Sequence, residues 1–375
     1  MTIDQLEIID LNRNNDLLPQ VLKEKSITQN NKKLNIVYLM IWTKVCGGSK
    51  IILEYANRIQ KKGHNVTIIT YDKKPEWFKL DADINFIQVP EDKDWKDYIE
   101  DCDVIVATSW KCIYPAVESE KAPVTFFEQG GSHIFDSENI SKEKKQVVQK
   151  RMNIVPFIYT VSSYTKDMIK DVYGRDSKVI CNAVDSNIFF PREINKTSNK
   201  DKIDITIIGS EEFKFKNIEN ILKAIRILKE QYNNINLNWI TQTKPTKNKE
   251  TAIVNPEQTK IGDILRKTDI YICNSEYESF GLPTLEAMTC GAAVITTDTG
   301  GMRDFVVDGY NALITKQHDI NDIVQKTKIL IENKDLRMML SRNGMNTAAK
   351  FNWDSSVEES IKYYEEIARY EVKKN

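Results

Sequence analysis

The chain has 375 residues, with 53 Lys and Arg against 54 Asp and Glu and a net charge of −1. That length is ample for two domains with separate apolar cores, and the balanced charge provides neither a basic field for nucleic acid nor the acidic excess of a disordered chain. Six cysteines (46, 102, 112, 181, 273 and 290) are scattered with no C-x-x-C pair, which predicts reduced thiols in a cytoplasmic protein rather than a disulfide frame.

In chain order, residues 1–33 are polar and carry no signal-peptide core, so neither secretion by that route nor a membrane span is expected. Within them LEIID (6–10) and LLPQVL (17–22) read as a short helix or strand against the body, or as an arm. From Leu34, β-branched runs alternate with amphipathic segments: LNIVYLMI (34–41), a helix over 49–62, NVTIIT (65–70), INFIQV (84–89), DVIVAT (103–108) and APVTFF (122–127). Residues 142–151, KEKKQVVQKR, form a basic helix with few apolar residues, read as a solvated face whose lysines also suit weak contact with anionic lipid. FIYTV (157–161), a Ser-led helix over 163–172 and a strand over 178–181 follow, and a turn-rich, polar tract places a linker near 185–202. A second alternation runs through IDITII (203–208), NLNWIT (236–241), DIYICN (269–274) and AVITT (293–297), and 351–372 reads as a helix with Trp353 at its start. Strands alternating with helices predict parallel sheets in two doubly wound α/β domains, with ligand bound beyond the strand C-termini.

The segment 274–291, NSEYESFGLPTLEAMTCG, places Glu278 and Glu286 eight residues apart across a Phe-Gly-Leu-Pro turn. A strand before it and Pro followed by strong helix formers after it predict strand, loop, helix. The amides of Phe280, Gly281 and Leu282 would then lie at a helix N-terminus, where the dipole and the unpaired N–H groups favour a diphosphate. One carboxylate would meet a group ahead of the phosphates and the other a ribose diol behind them, since a carboxylate accepts hydrogen bonds from two hydroxyls in a fixed fork. Either glutamate alone has the look of a solvated loop charge or a helix N-terminal acid. It is the whole string that points to a site. Gly47 and Gly48 follow the first strand as a glycine loop would, but the earlier glycine of a P-loop and the G-x-G-x-x-G pattern are both missing.

ESFGLPTLEAMTCGAAVITTDTGGMRDFVVDGYNALI resembles the donor site of the retaining glycosyltransferases with the GT-B fold and the Glu-x7-Glu motif (glycosyl transferases group 1, family 4), and weaker matches recur from Leu34 onward. The resemblance implies two Rossmann-like domains facing a central cleft: an acceptor-side domain over 34–190 after an extension of 1–33, a donor domain over 200–354, and a C-terminal helix (about 355–375) crossing back to the first. It implies a nucleotide-diphosphate-sugar co-substrate and no other cofactor, with a UDP-sugar favoured. Glu286 would hold the ribose and Glu278 the donor sugar, with Ser279 in the same turn. Lys216 and the amides of Phe280, Gly281 and Leu282 would hold the diphosphate. Gly48, in the GGSK that resembles the family's N-terminal signature, would touch the donor. Where the family has Gly-Arg and then Lys six residues on, this chain has Ser210 and Lys216, with Lys214 a candidate substitute for the arginine.

On the acceptor side, Glu128, Gln129 and His133 follow the strand APVTFF, and His133 is the histidine expected near the reaction centre; His64 and His318 read as surface residues. The D-x-D triplets at 81–83 and 101–103 sit at strand entries, and no metal site is assigned to them. Donor specificity is assigned to the loops 241–246 and 255–260. The expected activity is sugar transfer to a glycan, lipid-linked or protein acceptor in cell-surface glycan or glycoconjugate synthesis, from the cytoplasm or peripherally at the inner membrane face, with no nucleic-acid partner. Two alternatives stand beside it: a non-catalytic glycosyltransferase-like subunit, favoured by Ser210, and a sugar-nucleotide epimerase, which needs acid–base residues not found here.

Overall fold

The computed structural model describes residues 18–26, 33–191, 202–248 and 250–373. The segment LEIID and most of the polar tract before Ile203 lie outside them. The strands are β1 (Leu22–Glu24), β2 (Asn35–Met40), β3 (Asn65–Thr70), β4 (Asn85–Gln88), β5 (Val104–Ala107), β6 (Val124–Glu128), β7 (Phe157–Thr160), β8 (Lys178–Val179), β9 (Ile203–Ile208), β10 (Ile235–Thr241), β11 (Ala252–Val254), β12 (Ile270–Cys273), β13 (Ala293–Thr297), β14 (Ala312–Thr315) and β15 (Tyr370–Val372). Two compact units result. The first takes in the described residues up to Val161, Thr165–Ile180 and those from Asp354 on; the second takes in Ser162–Tyr164 and Cys181–Trp353.

The first unit carries a parallel seven-stranded sheet in the order β4-β3-β2-β5-β6-β7-β8. Its central strands read VIVA and VTFFE because helices cover both faces, and every residue of β5 and β6 is buried. Crossover helices such as Gly47–Lys61 bury Ile51, Ile52, Leu53, Tyr55, Ala56 and Ile59 on one stripe, with the Cys46 side chain capping the N-terminus. The helix Trp353–Ile367 supplies Tyr364, whose hydroxyl lies 3.0 Å from that of Tyr38 on β2 and 2.7 Å from that of Tyr159 on β7. Burial, and then the neighbouring phenols, push all three hydroxyls well above the usual tyrosine range, so the cluster is neutral.

The second unit carries a parallel six-stranded sheet, β11-β10-β9-β12-β13-β14. Its core packs Ile205, Ile207, Ile270, Ile272 and Ile295 against Leu222, Ile225 and Leu228 of the helix Ile218–Gln231 around a fully buried Trp239. The indole N–H of Trp239 donates to the carbonyl of Gly209 at 2.9 Å.

Several elements differ from the sequence expectation. Residues 370–372 are not helical: β15 pairs antiparallel with β1, with Leu22 opposite Val372, because this tail meets a distant partner strand that local propensity does not contain. LLPQVL, left open between helix, strand and arm, ends in a strand at Leu22. The segment 255–260 is only partly a loop, since the helix Gln258–Leu265 begins inside it. The basic helix extends over Lys142–Ile154 and is not merely a solvated face. Val147, Val148 and Met152 enter the first core, and Arg151 is buried with its guanidinium 4.3 Å from the centre of the Tyr114 ring. His64 is half-buried rather than superficial, and its Nδ1 accepts the Leu34 amide at 3.2 Å. The Asp103 carboxylate accepts the backbone and side-chain N–H groups of Asn35, a strand-entry tie. Among the described residues no helix is long and apolar enough to cross a membrane, and no three His, Cys, Asp or Glu side chains converge as a metal site.

Candidate functional site

Because β9 and β12 are neighbours in the second sheet, the loops that leave their C-terminal ends meet. The first loop runs from Gly209 through a 3-10 turn at Lys214–Lys216 to Asn217, which takes a left-handed conformation (φ 48°) and opens the helix Ile218–Gln231. The second runs from Asn274 to Gly281 and into the helix Leu282–Thr289. The Glu276 amide donates to the Phe215 carbonyl at 2.8 Å, and the Asn217 side chain donates to the Asn274 carbonyl at 3.1 Å. That backbone tie brings Lys216 to Glu278 although 62 residues separate them, with Nζ 2.5 Å from Oε1.

The same carboxylate oxygen accepts the Ser275 hydroxyl at 2.7 Å. Burial acts against the Lys216 charge, but the Glu278 carboxylate outweighs it and holds the ammonium above its ordinary range. The pair is therefore a fixed dipole at the strand ends, with 20 % and 14 % of its side chains exposed.

The turn between Glu278 and the helix is tightly specified. The Glu278 amide donates to the Thr299 carbonyl and its carbonyl accepts from Gly301. A Cβ on Gly301 would stand 2.3 Å from the carbonyl oxygens of Glu278 and Ser279, so the TGG of 299–301 is a close backbone approach. Gly281 has φ +88°, and a Cβ there would meet Met302 at 2.6 Å. The Phe280 ring is buried against Phe305 and Phe351, at centroid distances of 5.6 and 5.9 Å. With that side chain anchored and Pro283 in the first helical turn, the amides of Phe280, Gly281 and Leu282 are presented at the N-terminus of an eight-residue helix. Glu286 lies in the next turn, half-buried. Burial, then Cys273, then the Glu278 and Glu286 charges raise the buried Tyr271 phenol, so both carboxylates act on the same buried ring.

Ser210 is 2 % exposed; its hydroxyl bonds that of Thr243 at 2.8 Å and accepts the Glu212 amide at 3.2 Å. Lys214 is exposed in the 3-10 turn. Residues that sequence reasoning left out include Ser275, which joins Glu278 and whose carbonyl accepts the Thr297 hydroxyl at 2.5 Å. Asn274 is another: it is 1 % exposed, with both side-chain amide atoms unbonded within the described residues. A polar residue directly after an apolar strand was the available signal for both.

In the first unit β6 delivers Glu128, and the chain turns through Gln129, Gly130 (φ +88°) and Gly131 into the short helix Ser132–Phe135. Glu128 and His133 are both buried, and the His133 Nε2 lies 2.8 Å from the Glu128 Oε2. The other Glu128 oxygen accepts the Gly130 amide at 2.6 Å, and the Tyr173 hydroxyl donates to the His133 carbonyl at 2.8 Å. The Gln129 side chain donates to the Gly48 carbonyl at 3.3 Å. A Cβ on Gly48 would have its nearest neighbour at an ordinary 3.5 Å and no positive φ to strain it. The fold therefore does not call for glycine at that position.

Residues 190–347 match the family model of glycosyl transferases group 1. An uncharacterized glycosyltransferase of Methanocaldococcus jannaschii is 36% identical over 109 residues, which are 29% of this chain and 31% of that protein. A D-inositol 3-phosphate glycosyltransferase of Corynebacterium jeikeium is 38% identical over 112 residues, 30% of this chain and 26% of that one. These alignments thus span about a third or less of the relatives' own length. The solved structure of Anabaena HepE in complex with UDP-glucose superposes with a TM-score of 0.73 at 14% identity, over 88% of this chain and all of that one, a likeness of fold. Residues 190–347 thus match glycosyl transferases group 1, and the two parallel-sheet units have the GT-B architecture of the solved structures that the chain resembles.

Proposed function

We propose that the protein transfers a sugar from a nucleoside-diphosphate sugar to an acceptor hydroxyl with retention of anomeric configuration. The observation that carries this reading is the Lys216–Glu278 pair set beside the N-terminal amides of the helix Leu282–Thr289. Lys216 and those amides meet the charge that develops on the leaving diphosphate, the kind of preorganised electrostatics that contributes most to such transfers. Glu278 accepts hydrogen bonds from the donor sugar, Glu286 from the ribose diol, and the exposed Lys214 is placed to add charge in the absence of an arginine at 210. The anomeric carbon–phosphate oxygen bond breaks and the acceptor oxygen bonds that carbon on the same face. The diphosphate leaves with the electron pair and takes the acceptor proton, so no separate base is needed.

In the first unit Gly48, which the fold leaves free to carry a side chain, keeps room for the donor, and His133, held by Glu128, faces the acceptor with Gln129. The likeness to a protein solved with UDP-glucose supports a UDP-sugar as donor. A cytoplasmic place in glycan or glycoconjugate synthesis fits, and the exposed lysines Lys142, Lys145 and Lys150 suit a peripheral contact with an anionic membrane face when the acceptor is lipid-linked.

One observation favours a second reading, a non-catalytic subunit on the same fold. The position of the family's arginine is Ser210, and its hydroxyl is engaged by Thr243 and Glu212. The test is thermal stabilisation by UDP, GDP, ADP, TDP and their sugars, with Glu286→Ala alongside. Selective stabilisation by one nucleotide, lost in the variant, is the expected result, because a ligand that binds only the folded state raises the melting temperature by mass action. No response to any nucleotide would shift the conclusion to the non-catalytic subunit.

A further inference from the structure

Between Ser210 and Glu278 the second unit carries three aromatic rings in series. Tyr277 and Phe215 stack at 4.8 Å with an interplanar angle of 12°, and Phe213 follows at 5.9 Å and 45°. The Lys216 ammonium, which bonds Glu278, lies 5.3 Å from the centre of the Phe215 ring. The series therefore leads from the ion pair outward to Phe213, which is 46 % exposed. None of the three rings belongs to the core around Trp239. A single exposed phenylalanine is ordinary. A stack that begins at a half-buried charged pair and ends at an exposed ring on a loop is not what core packing requires.

We propose that this stack is a carbohydrate platform that takes a pyranose ring of the acceptor, with Phe213 as its outer, specificity-determining contact. A pyranose presents an apolar C–H face and a polar hydroxyl rim. The aromatic face matches the first, and the flanking Glu212, Lys214 and Glu276, none of them buried, match the second. The stack adjoins Glu278, on the strand side of the turn, whereas Glu286 lies beyond the turn on the helix. It is thus on the sugar side of the site and not on the ribose and base side. This assignment of side rests on the proposed donor site.

The experiment is binding of the full chain, with UDP present and absent, to an immobilised panel of bacterial, fungal and plant oligosaccharides, comparing wild type with Phe213→Ala and Phe213→Trp. The platform requires that wild type retain at least one saccharide and that Phe213→Ala weaken it about tenfold, the scale of one lost aromatic contact of about 1.4 kcal/mol. Phe213→Trp should retain it, and the melting temperatures of all three should coincide. Absence of any saccharide binding by wild type overturns the proposal, as does undiminished binding by Phe213→Ala. A loss of the UDP response in Phe213→Ala would also overturn it, by assigning the ring to the base. Phe213-dependent saccharide binding in a protein that ignores every nucleotide would keep the platform and reject the donor reading.

Discussion

Lys216 and Glu278 show how a residue's role depends on its partner. Alone, each is a charge on a loop; together, half-buried at 2.5 Å, they are a preorganised element. If the proposed transfer is correct, replacing Lys216 by Met removes the cation assigned to the leaving diphosphate, and kcat in a radiolabelled-sugar transfer assay should fall about 10²–10³-fold, the usual loss for one such donor. Gly48 and Gly281 separate two reasons for glycine. At Gly281 the backbone is left-handed and a Cβ would strike Met302, so Gly281→Ala should cost about 1–3 kcal/mol of stability in a urea titration. At Gly48 there is room. Gly48→Ala should leave the urea midpoint unchanged and reduce kcat/KM if the donor approaches there.

Among the elements, the loop after β10 is held by one carboxylate. Glu211 accepts the amides of Thr246 (2.5 Å) and Lys247 (2.9 Å) and the side chain of Asn248 (2.9 Å). Slight burial pushes its pKa up, but these donors outweigh it and pull it from the usual 4.5 down to about 2. A lowered folded pKa means that the tie is at full strength above pH 4.5 and is lost as the pH falls toward 2. Amide exchange at Thr246 and Lys247, measured by NMR and corrected for intrinsic rates, should accelerate in that window, and Glu211→Ala should show the acceleration at pH 7. The C-terminal helix offers a second case. Tyr364→Phe deletes a buried hydroxyl bonded to both Tyr38 and Tyr159. A cost of about 1–3 kcal/mol is expected in the unfolding free energy, the penalty for leaving buried hydroxyls underbonded.

The whole molecule is two units with separate cores, and the first is closed by residues from the far end of the chain. Ending the chain after Trp353 would uncover Tyr38 and Tyr159 and remove the partner of β1. Calorimetry of that truncated protein should show the transition of the first unit lost or strongly lowered while the second persists, and the proposed nucleotide response should be kept, since Lys216, Glu278 and Glu286 all lie in the second unit.

Much of this was legible in the chain itself. Apolar runs alternating with amphipathic ones specify parallel sheets, because a strand covered by helices on both faces must be hydrophobic throughout. The stretch from Ile270 to Gly291 carries strand, turn and helix signals in succession, and Glu128 and His133 meet within one tight turn. Other features need the tertiary structure. Short strands such as β11 and β14 have too few residues for a period, β15 exists only because Leu22–Glu24 lies beside it, and the valines of the basic helix show their purpose only against the first core. The sequence by itself determined the kinds of element and the local turn at the candidate site, since these depend on neighbours along the chain. Which loops converge there, Lys216 on Glu278 and Phe215 on Tyr277, was decided only by the adjacency of β9 and β12, a pairing that arises from packing between distant segments.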